Sequence, residues 1–250
     1  MKNLQLKTAF IAVPSFLLLA ASAHAATTDP LFTAGVTGSY SQYRLTGKGL
    51  DGDDKAEFGK GGVFANFGNK LTGEAGFIYQ FELKGQYGEK KNDEVRDGQA
   101  DLDLGFRTSI DATNYVDFIV GGGYDWNRFE PDADDLGLKI TTRSPFAKAG
   151  LGYNHKFSDS TFRAELGARR TINADAHVKV SGATSDSFDL KDRTSPYLEV
   201  GMLLNQHGQL PFYVGGYATY TEYKPDSDSP LADDVKLKRG EAGFKAGLSF

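Results

Sequence analysis

Apolar and polar side chains take turns along most of this chain. A period of two puts successive side chains on opposite faces of an extended strand, so the pattern reads as β structure. It is clearest between Glu74 and Gln86, where Phe77, Tyr79, Phe81 and Leu83 share one face and Gln80, Glu82, Lys84 and Gln86 the other. The same pattern returns at Ala100–Arg107, Val116–Trp126, Ala147–Asn154, Phe162–Arg169, Tyr197–Leu204, Phe212–Tyr220 and Glu241–Phe250. Two weaker segments precede these, around Phe32–Ser41 and Val63–Phe67. The total is about ten, an even count, as a closed single-chain barrel requires.

The N-terminus points to export. Lys2 and Lys7 precede an apolar run from Ala9 to Ala21, and Ala23-His24-Ala25 supplies small residues where a signal peptidase cuts. Residues 1–25 therefore read as a signal peptide and 26–250 as the mature domain. No later stretch is long and apolar enough for a spanning helix, so membrane entry would need a closed barrel. The chain has no cysteine, which excludes a disulfide framework. Without Lys2 and Lys7, 26 basic residues face 33 acidic ones. That acidic balance argues against nucleic acid as a partner.

Alternation also fits a soluble sandwich; the connections and aromatics separate the two. Short connections near residues 69–71, 111–114, 158–160 and 206–208 alternate with long polar ones near 46–56, 88–97, 129–142, 172–190 and 225–236. With both termini at the periplasmic side, every short turn falls there and every long loop outside. Aromatics on the apolar face group at the two ends. Phe32, Phe67, Phe77, Phe106, Phe118, Phe157, Phe162, Phe212 and Phe250 lie near the short turns, and Tyr40, Tyr87, Tyr124, Trp126 and Tyr220 toward the long loops. Two such belts are expected where rings meet lipid headgroups. The expected fold is all-β: an antiparallel up-and-down transmembrane β-barrel of about ten strands, with about eight or twelve as the alternatives.

The last residues, Gly243-Phe244-Lys245-Ala246-Gly247-Leu248-Ser249-Phe250, resemble the closing strand of Gram-negative outer-membrane β-barrel proteins. The resemblance implies that Phe244, Leu248 and Phe250 form the signal read by the barrel assembly machinery. It also implies residence in the outer membrane, among its lipids and lipopolysaccharide. It does not select one member of that broad class.

Turning the polar faces inward lines a lumen with Glu82, Lys84, Asp101, Asp103, Arg107, Asp117, Asp125, Lys148, Arg163, Glu165, Arg169, Glu199 and Lys245. Glu74, Lys156 and Arg193 read as inward too. The acids gather on the third to fifth strands and the bases on the sixth to eighth, so an acidic wall and a basic wall are expected to set a transverse field. Inward glycines (Gly121, Gly123, Gly150, Gly152, Gly167, Gly201, Gly215, Gly243, Gly247) leave room for water or relieve curvature. The leading expectation is a small porin-like channel for small polar solutes. The alternative is an adhesin or structural barrel presenting acidic loops, since the same charges can pair and block so narrow an interior.

An enzyme is not expected, an outer-membrane hydrolase or acyltransferase being the alternative. His155, His177 and His207 fall on a lipid-facing position, a long loop and a short turn, and Asp175 with His177 is the nearest approach to a catalytic pair. Gly121-Gly122-Gly123 lies inside a strand and lacks a phosphate loop's lysine and helix. Acidic loop clusters at Asp51/Asp53/Asp54, Asp132/Asp134/Asp135 and Asp226/Asp228/Asp233/Asp234 read as solvated surface, without calcium-loop spacing. No cofactor or metal is expected.

Overall fold

A computed structural model describes residues 30–46, 54–91, 93–130, 139–179, 185–226 and 236–250. The signal segment lies outside them, as do Asp51, Asp53, Asp132, Asp134, Asp135, Asp228, Asp233 and Asp234.

The described residues form strands only: β1 (Leu31–Thr46), β2 (Asp54–Gly68), β3 (Gly76–Lys90), β4 (Asp93–Ser109), β5 (Asn114–Glu130), β6 (Lys139–Lys156), β7 (Ser160–Thr171), β8 (Asp175–Lys179), β9 (Asp186–Asp189), β10 (Thr194–Leu204), β11 (Phe212–Tyr223) and β12 (Lys236–Ser249). Ten of them close a barrel in which each pairs antiparallel with its neighbours, β7 meeting β10 and β12 returning to β1. The seam is complete at its lower edge: Phe32 and Phe250 exchange backbone hydrogen bonds of 3.1 and 2.8 Å. Closure leaves no open edge, which is what lets strands cross lipid. The remaining two, β8 and β9, form a hairpin; β8 pairs with the outer end of β6.

The two-residue period sorts side chains as the sequence implies. Val63, Phe77, Phe118 and Leu166 point outward and are 65, 63, 57 and 62% exposed, apolar groups that only a hydrocarbon surround makes favourable. Their neighbours in sequence point inward.

Two expectations need correction. The connection expected near 88–97 is mostly strand, since β3 runs to Lys90 and β4 resumes at Asp93. Lys91 takes the positive φ of 60° that this tight reversal demands. The region 172–190 is likewise not all loop, because it carries β8 and β9. Both differences have one cause. Above the membrane the inward face need not be polar nor the outward face apolar, so alternation fades while strand pairing continues.

Candidate functional site

The barrel interior holds the expected charged residues, and most of them are tied together. In the lower half, nearest the short turns, fully buried Arg107 forks onto Asp117. Its Nε donates to Oδ1 at 2.7 Å and its Nη2 to Oδ2 at 2.9 Å. The rest of the guanidinium donates to the carbonyls of Lys70 and Gly73, at 2.6 and 2.5 Å. The turn between β2 and β3 is thereby folded into the lumen. From that turn the Lys70 ammonium reaches Asp103 at 2.5 Å and Glu165 at 2.7 Å. Arg163 closes the circuit, bonding Asp117 and donating to Glu165 at 2.7 Å and Asn154 at 2.8 Å. Leu71 of the same turn packs on Leu31 and Leu203, with Tyr213 against them.

The two charged walls therefore meet as ion pairs. Asp117 on β5 holds Arg163 on β7, Asp103 on β4 holds Lys148 on β6 at 2.6 Å, and Asp101 lies 3.7 Å from Arg169. Across the closing strands, Lys245 donates to Glu82 at 2.5 Å. Charge paired this closely leaves little separation to act as the transverse field expected from sequence. Burying such ions is tolerable because each has an opposite charge beside it, although Asp101 Oδ1 and Asp103 Oδ1 accept no hydrogen bond among the described residues.

The inward glycines do not open the lumen either. Tyr197 lies over Gly150 and Gly167, Tyr213 over Gly201 and Gly215, Tyr217 over Gly243, and Arg163 over Gly152. A methyl at Gly167 would run into the Tyr197 ring. The missing side chains make room for large neighbours, and Tyr197 uses that room to donate to Glu165 at 2.8 Å.

The upper half is built differently. Lys60, Asp97, Arg239 and Glu241 form a second ion cluster, with Lys84 3.6 Å from Glu241. Next to it, Tyr43, Phe58 and Val95 form a buried apolar cluster, and the Tyr43 and Phe129 rings stack with centroids 6.0 Å apart. On the other side a cavity of about 40 Å³ is lined by polar groups such as Asp125, Ser144, Arg169 and Thr171 together with Trp126 and Phe146. Ser144 Oγ and Arg169 Nε find no hydrogen-bond partner there among the described residues. Glu199 stands 3.9 Å from Arg169.

Lys60, Lys70, Arg239 and Glu241 were not among the pore-lining candidates. Lys70 sits in a short turn, where polarity carries no facing information. Lys60 and Arg239 lie where alternation has already faded. Glu74 and Arg193, expected inward, are placed otherwise: Glu74 is on the exposed face of the inserted turn, and Arg193 pairs with Glu222 at 3.8 Å at the outer rim. Lys156 donates to the Thr72 carbonyl at 3.0 Å. The histidines are dispersed: His155 bonds Asn114, His177 bonds Ser187, and His207 lies 3.4 Å from Asp159. Phe244, Leu248 and Phe250 point outward on the closing strand and are exposed.

A family model for the outer membrane protein beta-barrel domain matches residues 11–195. The chain belongs to that family. This makes it an outer-membrane β-barrel protein and agrees with the closed barrel described above. No curated protein sequence matches the chain. Among solved structures, the outer membrane protease OmpT from Escherichia coli is similar over 90% of this chain and 97% of its own, at 10% identity and a TM-score of 0.51. The translocator domain of the autotransporter NalP from Neisseria meningitidis is similar over 89% and 88%, at 11% identity and a TM-score of 0.45. The likeness to OmpT is one of fold, and a shared fold does not select an activity.

Proposed function

We propose that this barrel works with a closed interior, as an outer-membrane scaffold that holds the β8–β9 hairpin and the outer connections at the cell surface. One observation carries the reading: the Lys70–Glu165–Arg163–Asp117–Arg107 chain runs from an inserted turn into the opposite wall. An ion permeating at that level would have to break a buried pair. Current recorded across a planar bilayer tests it. The wild-type protein is expected to be silent, and sustained open steps at neutral pH would overturn the reading.

A second reading, the small polar-solute channel, is favoured by two cavities in the lumen, about 40 Å³ in the upper half and about 20 Å³ beside that chain. The lower one is bounded by Lys70, Glu82, Arg163 and Lys245. Withdrawal of the β2–β3 turn would join them. Under this reading Lys70→Met shows frequent brief openings, whereas the scaffold reading expects it to stay silent. In either case residues 1–25 are proposed to be removed on export, which N-terminal sequencing of the membrane-bound protein checks. The outward Phe244, Leu248 and Phe250 are proposed to be the assembly signal.

A further inference from the structure

The outward face is not uniform around the barrel. Following each strand toward its outer end, the first charged outward side chain is Arg96 on β4, Arg128 on β5, Arg143 on β6 and Arg170 on β7. At the corresponding places on β2, β3 and β11 stand Glu57, Glu89 and Glu222, while β1 and β12 carry one base each, Arg44 and Lys238. One arc of the outer lipid boundary is thus lined with arginine.

Below this arc the wall is notched. Val63, Gly85, Gly98 and Trp126 follow one another in a continuous cross-strand row. The two glycines leave a shallow apolar groove of about 480 Å³. The groove is spatially continuous with the arginines. Arg143 continues its row beyond Trp126, and Arg96 and Arg128 face each other in the next row outward.

That facing pair is a physical problem. Like charges directly opposite on one face of a sheet repel. Each has a carboxylate on its own strand, Glu94 at 2.8 Å from Arg96 and Glu130 at 2.7 Å from Arg128, and Arg96 also lies over the Tyr87 ring, 5.9 Å from its centroid. Glu130 is shared with Lys139 at 3.0 Å. Arg143 and Arg170 have no ion pair among the described residues. An anion with several oxygens set between Arg96, Arg128 and Arg143 would satisfy their planar forks together.

We propose that this arc is a binding site for the phosphorylated glycolipid of the outer leaflet, lipopolysaccharide. A head phosphate bridges Arg96, Arg128 and Arg143, and one acyl chain lies in the Gly85–Gly98 groove. The occupant follows from the combination: an apolar slot requires a chain, and three guanidiniums at its outer end require a phosphate attached to that chain. The inference is independent of whether the lumen conducts.

Native mass spectrometry of the barrel released from detergent, titrated with purified lipid A, tests the site. The wild-type protein is expected to retain lipid A, and the Arg96→Gln/Arg128→Gln pair to bind about tenfold more weakly. Gly98→Leu fills the slot while leaving every charge in place, so it is expected to weaken binding separately. Heat-modifiable migration on a gel confirms that each variant is folded; if the arginine pair fails to fold, Arg143→Gln replaces it. Equal retention by wild type and all variants would overturn the site. So would equal displacement of lipid A by phosphatidylglycerol, which would make the arc a general anionic-lipid surface. A wild-type dimer whose association Gly98→Leu abolishes would assign the groove to a second copy of the chain and overturn it too.

Discussion

The two halves of the lumen are closed in different ways. Below, Arg107, Asp117, Arg163, Glu165 and Lys70 form one circuit that recruits a turn as its plug. Above, an ion cluster around Lys60 and Glu241 shares the space with the apolar contacts of Tyr43, Phe58 and Val95, and a cavity remains. The difference follows from access to water. In the lower half the space left is only about 20 Å³, so each ion of the circuit relies on an opposite charge beside it. Near the outer mouth water can enter, so an incomplete set of contacts is tolerated, as at Ser144 and Arg169.

The largest expected effect comes from breaking the lower circuit. Arg107→Ala leaves Asp117 with fewer partners and releases the Lys70 and Gly73 carbonyls. It should cost about 3–5 kcal/mol, the range for removing one partner of a buried pair. Urea unfolding in lipid vesicles, followed by loss of heat-modifiable migration, measures it. Phe58→Ala in the upper half removes an apolar side chain of comparable burial. Its cost should sit at or below ~3 kcal/mol, because water from the mouth can fill the space that a dry core would leave empty. If Phe58→Ala proved the more damaging, the contrast between the halves would be wrong. Smaller still is Ser144→Ala. Its hydroxyl makes no hydrogen bond among the described residues, so the change should stay within ~0.5 kcal/mol of neutral. Ser41→Ala, by contrast, removes the 3.0 Å hydrogen bond to Glu241 and should be measurably worse.

The barrel was legible in the sequence wherever lipid enforces alternation. Phe77 through Leu83 on β3 and Ala100 through Phe106 on β4 could be assigned a face without coordinates, and the inward placement of Asp103, Asp117, Arg163 and Glu165 follows from that assignment. What could not be read was pairing. Alternation says which way Asp117 points, not that β5 and β7 bring it onto Arg163, because that depends on barrel register. Nor does it say what occupies the space above a glycine. Gly150 and Gly167 look like openings in sequence and prove to be the seats of Tyr197. Lys70 was hidden for a third reason: a short turn has no period, so its insertion into the lumen leaves no trace in the pattern.

The two short turns that flank β3 and β4 sharpen the same contrast at its weakest point. The β2–β3 turn is held by groups of the lumen wall. The β4–β5 turn holds itself: Asp111 accepts from the backbone N–H groups of Thr113 at 2.8 Å and Asn114 at 2.9 Å, and from the Asn114 amide at 2.7 Å. The Thr113 N–H, then the Asn114 side chain, hold its carboxyl far below the ordinary carboxylate range, at about 2. A carboxyl depressed in the folded state contributes stability that is complete above its unfolded pKa and is lost as pH falls through the folded one. Local order at this turn should therefore persist at pH 4–5 and fade only toward pH ~2. Backbone chemical shifts of Thr113 and Asn114 in a detergent micelle would follow it, with Asp111→Asn showing no such titration. A midpoint near the ordinary carboxylate pH of about 4 would mean that these hydrogen bonds do not hold the turn. The two turns would then differ only in where they point, and not in what secures them.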